Sequence, residues 1–170
     1  MTELKLVYGP NSIFKKMAEK VVSVDDDVRD LCARMVEVLY SENAVGAAAP
    51  MVGILQRIIV VDLQEEGVRS PFSMINPEII NFSDETQVYE EGSICFPGIS
   101  VEIKRPESIK INYTDEWGAA HTMEASGYLS SVIQHEIDYL NGIIYLDYLS
   151  SVKRNLLIKK TKKFQRNMDI

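Results

Sequence analysis

A chain of 170 residues with 46% hydrophobic and 25% charged side chains is long enough to bury a core without staples, and no apolar run approaches the roughly 20 residues a membrane span needs. Its two cysteines, Cys32 and Cys95, form no C-x-x-C pair, which argues against a disulfide framework or a cysteine-rich zinc site. The net charge of −7 is unevenly spread: residues 151–170 carry seven basic side chains and one acid, leaving 11 basic and 24 acidic residues elsewhere, so a body of −13 bears a tail of +6 and DNA is not an expected partner.

The N-terminus, with Glu3 and no long apolar stretch, does not read as a signal or transit peptide, and a cytoplasmic location is expected. Asp25 to Asp27 supply acidic capping residues, and Val28, Leu31, Cys32, Met35, Val38 and Leu39 then repeat at helical spacing, predicting an amphipathic helix over about 26–41. Gly46-Ala47-Ala48-Ala49-Pro50 reads as a small-residue loop, and the β-branched run Ile58 to Leu63 as a buried strand. Further strands are expected around 72–75, 87–95, 100–104 and 108–113, separated by turn signals such as Pro97-Gly98. Helical spacing returns from Ser126 to Leu140, Asn141-Gly142 ends that helix, and 151–166 predicts a last, basic helix. The pattern describes one α+β domain over 1–170, with mixed or antiparallel sheets around a central helix.

The central helix carries His135-Glu136-Ile137-Asp138-Tyr139. In an H-E-x-x-H arrangement two histidines one turn apart bind a metal from one face, and the glutamate serves as general base for the metal-bound water. Here the second histidine is replaced by Tyr139, a phenol whose pKa of about 10 makes it a poor ligand at neutral pH.

Three stretches, Gly46 to Gly53, Glu91-Gly92-Ser93-Ile94-Cys95-Phe96-Pro97, and Gln134 to Gly142, occur in the order and at the intervals of the three signature motifs of the peptide deformylases, which the chain resembles from about Tyr8 to Leu149. The resemblance implies the peptide-deformylase fold and an origin in removal of the formyl group from N-formylmethionine of nascent peptides. It also implies a divalent metal, usually Fe(II), held by a cysteine of the second motif and two histidines of the third. A glutamine side chain and the backbone N–H after the cysteine then stabilise the oxyanion.

Carried over residue by residue, those roles fall on altered side chains. The cysteine ligand position holds Ser93, the first histidine is His135, the second is Tyr139, and Glu136 is retained. The substrate and oxyanion positions are Gly46, Met51 and Ile94, with Met51 in place of the glutamine and Ala44 in place of the motif's first glycine. Losing an oxyanion donor costs about 10²–10³ in rate, whereas losing two of three ligands removes the ion that brings water from a pKa of about 16 to about 7. The resemblance therefore implies a deformylase-like protein with its metal-dependent activity lost or strongly reduced. No cofactor is expected, or Fe(II), Zn(II) or Ni(II) if the site holds a metal. One alternative is an active deformylase with an atypical metal site. The other is a non-catalytic module that binds the ribosome through the tail, or nascent peptides starting with N-formylmethionine or methionine.

The residues also admit other readings. Cys95 lies two positions beyond Ser93, on the same strand face but about 6.5 Å away, so replacing the missing thiolate would need a bulge. Cys95 or Ser93 as nucleophile with His135 as base would give a metal-free mechanism. His121 sits in a polar segment and is expected at the surface. The Tyr139 ring is expected to fill the metal cavity with its hydroxyl on Glu136 or Ser93, and Glu136 without a cation is expected to have a raised pKa unless hydrogen-bonded.

Overall fold

The computed structural model describes residues 3–170. The first long helix, α1 (Asp26–Ser41), begins where the Asp25 side chain accepts a hydrogen bond from the Val28 N–H, with Asp26 and Asp27 favourably placed in the first turn. Its buried stripe of Val28, Leu31, Cys32, Met35 and Leu39 follows the predicted periodicity, with Val38 of that stripe only half-buried.

Seven strands follow: β1 (Gly46–Ala48), β2 (Ile58–Val61), β3 (Phe72–Phe82), β4 (Thr86–Ser93), β5 (Phe96–Pro106), β6 (Ser108–Thr114) and β7 (Ala120–Ser126). Five form one sheet in the order β1-β2-β3-β6-β7, and β4 and β5 form a separate hairpin. The ladders are antiparallel, and among the described residues the one parallel contact is the isolated bridge between Glu19 and Gln56. Several details differ from the sequence reading: Pro97-Gly98, read as a turn between strands, lies within β5, and β3 runs on to Phe82 rather than ending near residue 75. Gly46 to Ala48 is a strand rather than a loop, because its small buried residues pair with Ile59 to Val61. β7 was not foreseen, because only Ala125 of its seven residues is buried and no apolar alternation marks it.

Every residue of β2 is buried, covered by α1 and by α2 (Gly127–Leu140). Met35, Leu39, Ile58, Ile59, Met74, Ile75, Ile111 and Ile133 are among the fully enclosed side chains, each worth roughly 1.5–3 kcal/mol of transfer free energy. α2 is enclosed almost all round, and its buried residues include Ser130, Ser131, Gln134, His135 and Glu136 beside the apolar ones. Gln134 is satisfied by the Pro106 carbonyl and Ser130, which leaves His135 and Glu136 to be accounted for at the site. Asn141 caps the helix, and Gly142 follows in the left-handed region.

The last helix, α3 (Ser151–Asn167), docks on β5. The buried Thr161 hydroxyl donates to the Pro97 carbonyl at 2.7 Å, and Gln165 donates to the Gly9 carbonyl at 2.7 Å. Gly98 has a φ of 79°, and a Cβ there would lie 2.5 Å from the Phe164 ring, so glycine is required both by backbone conformation and by the close approach of α3. Among the described residues no helix is long and apolar enough to cross a membrane.

Candidate functional site

The end of β4, the turn after it, β1 and α2 converge on one cleft of about 320 Å³, lined by Gly46, Met51, Ser93, Ile94, Val132, His135 and Glu136 among others. Helical spacing of four residues puts His135 and Tyr139 on one face of α2, their ring centroids 5.6 Å apart. The β4–β5 ladder closes with Ser93 opposite Phe96 and brings the Ser93 hydroxyl to the same place. Ser93 Oγ and the Tyr139 hydroxyl are 2.7 Å apart in a hydrogen bond, and Ser93 Oγ also accepts the Cys95 N–H at 3.3 Å. The Tyr139 ring is fully buried and stacks edge-on against Phe14 at 5.3 Å. Of the two partners expected for the hydroxyl of a ring filling the metal cavity, Glu136 or Ser93, the structure has Ser93.

Cys95 is not on a strand, as the spacing suggested. It occupies the tight turn between β4 and β5, fully buried, and burial pushes its thiol well above the ordinary range. A neutral, enclosed thiol is a poor nucleophile. His121 lies on exposed β7, its Nε2 2.6 Å from Asp115 and its ring stacked on Tyr113.

Beneath the cleft runs a network that the sequence reading did not assign. His135 Nδ1 is 2.8 Å from Glu91 Oε1. The same carboxylate accepts from Arg105 Nε at 2.7 Å and Nη2 at 2.9 Å, a bidentate pair. Arg105 Nη1 reaches Asp138 at 2.9 Å, and Asp138 also accepts the Tyr148 hydroxyl at 2.7 Å. Burial alone would raise the Glu91 pKa, but the hydrogen bonds from His135 and Arg105 outweigh it and hold the carboxyl below its usual range. A signal for this network was present in β5. There Phe96, Ile99, Val101 and Ile103 are buried in sequence, and Arg105 falls on the same inward phase, where a guanidinium is stable only if paired.

Glu136 is the unbalanced group. It is 4% exposed, and its Oε2 has no hydrogen-bond partner. Burial pushes its pKa up to about 7, with His135 lowering it and Glu91 raising it. Gly46 lies flush against it: a Cβ on Gly46 would meet Glu136 Oε1 at 2.8 Å. Met51 is buried nearby in a short 3₁₀ turn, Ala49–Val52, and offers no proton, while Ile94 follows Ser93 in the turn. Among the described residues no group of three or more His, Cys, Asp or Glu side chains is placed to hold a metal ion.

The family model for polypeptide deformylase matches residues 3–155. The chain belongs to the polypeptide deformylase family. It is 50% identical over 159 residues to a peptide deformylase-like protein of Rickettsia conorii, covering 94% of this chain and 87% of the relative. It is 36% identical over 164 residues to a peptide deformylase of Rhizobium meliloti, covering 96% and 94%. The fold is that of the family as well. The crystal structure of peptide deformylase from Ehrlichia chaffeensis in complex with actinonin matches with a TM-score of 0.92 at 36% identity, over 98% of this chain and 99% of that one. The family model ends within α3, whereas the Ehrlichia structure covers nearly all of this chain.

Proposed function

We propose that this member of the deformylase family does not carry out metal-dependent deformylation and keeps the cleft as a binding site for peptides that begin with N-formylmethionine or methionine. The observation that carries this reading is the 2.7 Å hydrogen bond between Ser93 and Tyr139. The two side chains at the replaced ligand positions satisfy each other, and a hydroxyl and a neutral phenol are weak donors beside a thiolate and an imidazole. One histidine is left, and a single imidazole does not hold a catalytic Fe(II), Zn(II) or Ni(II) ion against water, so the residues present do not fit the ion. Met51 removes the oxyanion donor as well.

Support for peptide binding comes from β1. Among the described strands it pairs with β2 alone, so its other edge borders the cleft and can accept a peptide strand. Turnover of formyl-Met-Ala-Ser by protein purified anaerobically and loaded with Fe(II), Zn(II) or Ni(II) is expected to stay at the level of a Glu136→Gln control. Turnover that disappears in that control would make the chain a working deformylase with an atypical metal site.

A second reading concerns α3, which we place on the ribosome of a cytoplasmic cell compartment. It bears seven basic side chains and no acid, and six of the seven are solvent-exposed. Charge reversal at Lys159, Lys160 and Lys163 is expected to abolish ribosome co-sedimentation at low salt, and unchanged sedimentation would count against it. Reversal is the cleaner test than deletion, because removing 151–170 also strips Thr161 and Phe164 from β5.

A further inference from the structure

At the inner end of the cleft the polar groups differ in one respect. Ser93 is engaged by Tyr139, and His135 Nδ1 by Glu91, which is itself engaged by Arg105. Glu136 Oε2 is buried on the cleft wall with nothing bonded to it. A buried acceptor of this kind is costly unless a donor reaches it, and a cationic donor satisfies a carboxylate best.

The lining contains three carboxylates, Glu90, Glu91 and Glu136, and no lysine or arginine. Arg105 neutralises Glu91 from the far side and is also shared with Asp138. The cleft therefore offers only neutral side-chain donors such as Asn43, Tyr128 and Ser131, and no lysine or arginine to balance its carboxylates. A formylated N-terminus brings a carbonyl oxygen, an acceptor, toward the Met51 thioether and the Glu136 carboxylate. A free N-terminus brings an ammonium with three donors.

We propose that the cleft selects the free α-ammonium of a peptide with an apolar first residue over its formylated form, and that Glu136 is the group that anchors it. The preference is the reverse of the one a deformylase needs for its substrate. Val45 and Val132 line the same cleft and supply apolar wall for the first side chain. This inference rests on the reading that the cleft binds peptide N-termini.

The test is calorimetric titration of the full chain at pH 7 in EDTA with Met-Ala-Ser, formyl-Met-Ala-Ser and acetyl-Met-Ala-Ser, repeated on Glu136→Gln with folding checked by circular dichroism. Met-Ala-Ser is expected to bind at least about 10-fold more tightly than either acylated peptide, and the preference is expected to fall within about 2-fold in the variant. Formyl-Met-Ala-Ser binding as tightly as the free peptide overturns the selectivity and leaves the peptide-binding reading standing. A preference undiminished in Glu136→Gln overturns the role given to Glu136. No binding of any of the three overturns the inference and the peptide-binding reading together.

Discussion

Changing Ser93 to cysteine and Tyr139 to histidine in one chain is expected to produce a protein that takes up one equivalent of Zn(II) or Ni(II) and turns over formyl-Met-Ala-Ser. The reasons lie in what the two substitutions leave in place. The Ser93 and Tyr139 oxygens already meet at 2.7 Å, so the new thiolate and imidazole start from converging backbones. His135 is already oriented through Nδ1 by Glu91, which is held in turn by two bonds from Arg105. Glu136 lines the same cleft and, beside a divalent ion, would have a counter-charge. Turnover is expected to rise at least about 10²-fold over the parent chain, and adding Met51→Gln to raise it by a further factor of about 10²–10³. Metal content by elemental analysis and rate by product chromatography check both steps. A folded double variant that binds no metal would mean that the backbone around the site has moved as well as its side chains. The Tyr139→His change also gives up ring packing against Phe14, so some loss of stability in the metal-free variant is expected.

Glu136→Gln is expected to stabilise the protein, and by an amount that grows with pH. A carboxyl whose pKa is raised from about 4.5 in the unfolded chain to about 7 in the fold binds more protons when folded between those values. Stability is therefore lost as pH rises from about 4.5 to 7, because the folded state must then hold a poorly solvated anion. The shift corresponds to about 3 kcal/mol once pH exceeds 7. Removing the charge recovers it, so melting at pH 8 is expected to be roughly 6–12 °C higher in the variant, with the two proteins within a few degrees at pH 5. An equal difference at both pH values would mean that Glu136 is balanced by a bound cation or an ordered water.

The helices were legible in the sequence because their signals are local. Asp25 caps α1, apolar residues recur every three or four positions in α1 and α2, and Asn141-Gly142 closes α2. The strands were legible where they carry β-branched or alternating residues, as in β2 and β5, and not where they do not. β1 is three small residues that become a strand only against β2, and β7 exposes most of its side chains. At the site, the family resemblance put Ser93, Glu136 and Tyr139 at one centre and left the Tyr139 hydroxyl to either Glu136 or Ser93; packing in the fold gives it Ser93. The placement of Cys95 was missed because a two-residue turn interrupts the alternation that the spacing argument assumed. The Arg105 network was missed for another reason: its Arg105–Glu91, Arg105–Asp138 and His135–Glu91 bonds span 14, 33 and 44 residues, and nothing in single-sequence spacing pairs them.

An isolated two-stranded hairpin is marginal in water, so β4 and β5 depend on what grips them. On one side Arg105 and Glu91 tie them to Asp138 and His135 of α2, and on the other Thr161 and Phe164 of α3 rest on the start of β5. Ser93 lies directly across the ladder from Phe96, next to the Pro97 and Gly98 that α3 holds. The basic helix and the cleft wall thus share one short stretch of chain, the first residues of β5, which α3 covers on one side and Ser93 faces across the ladder.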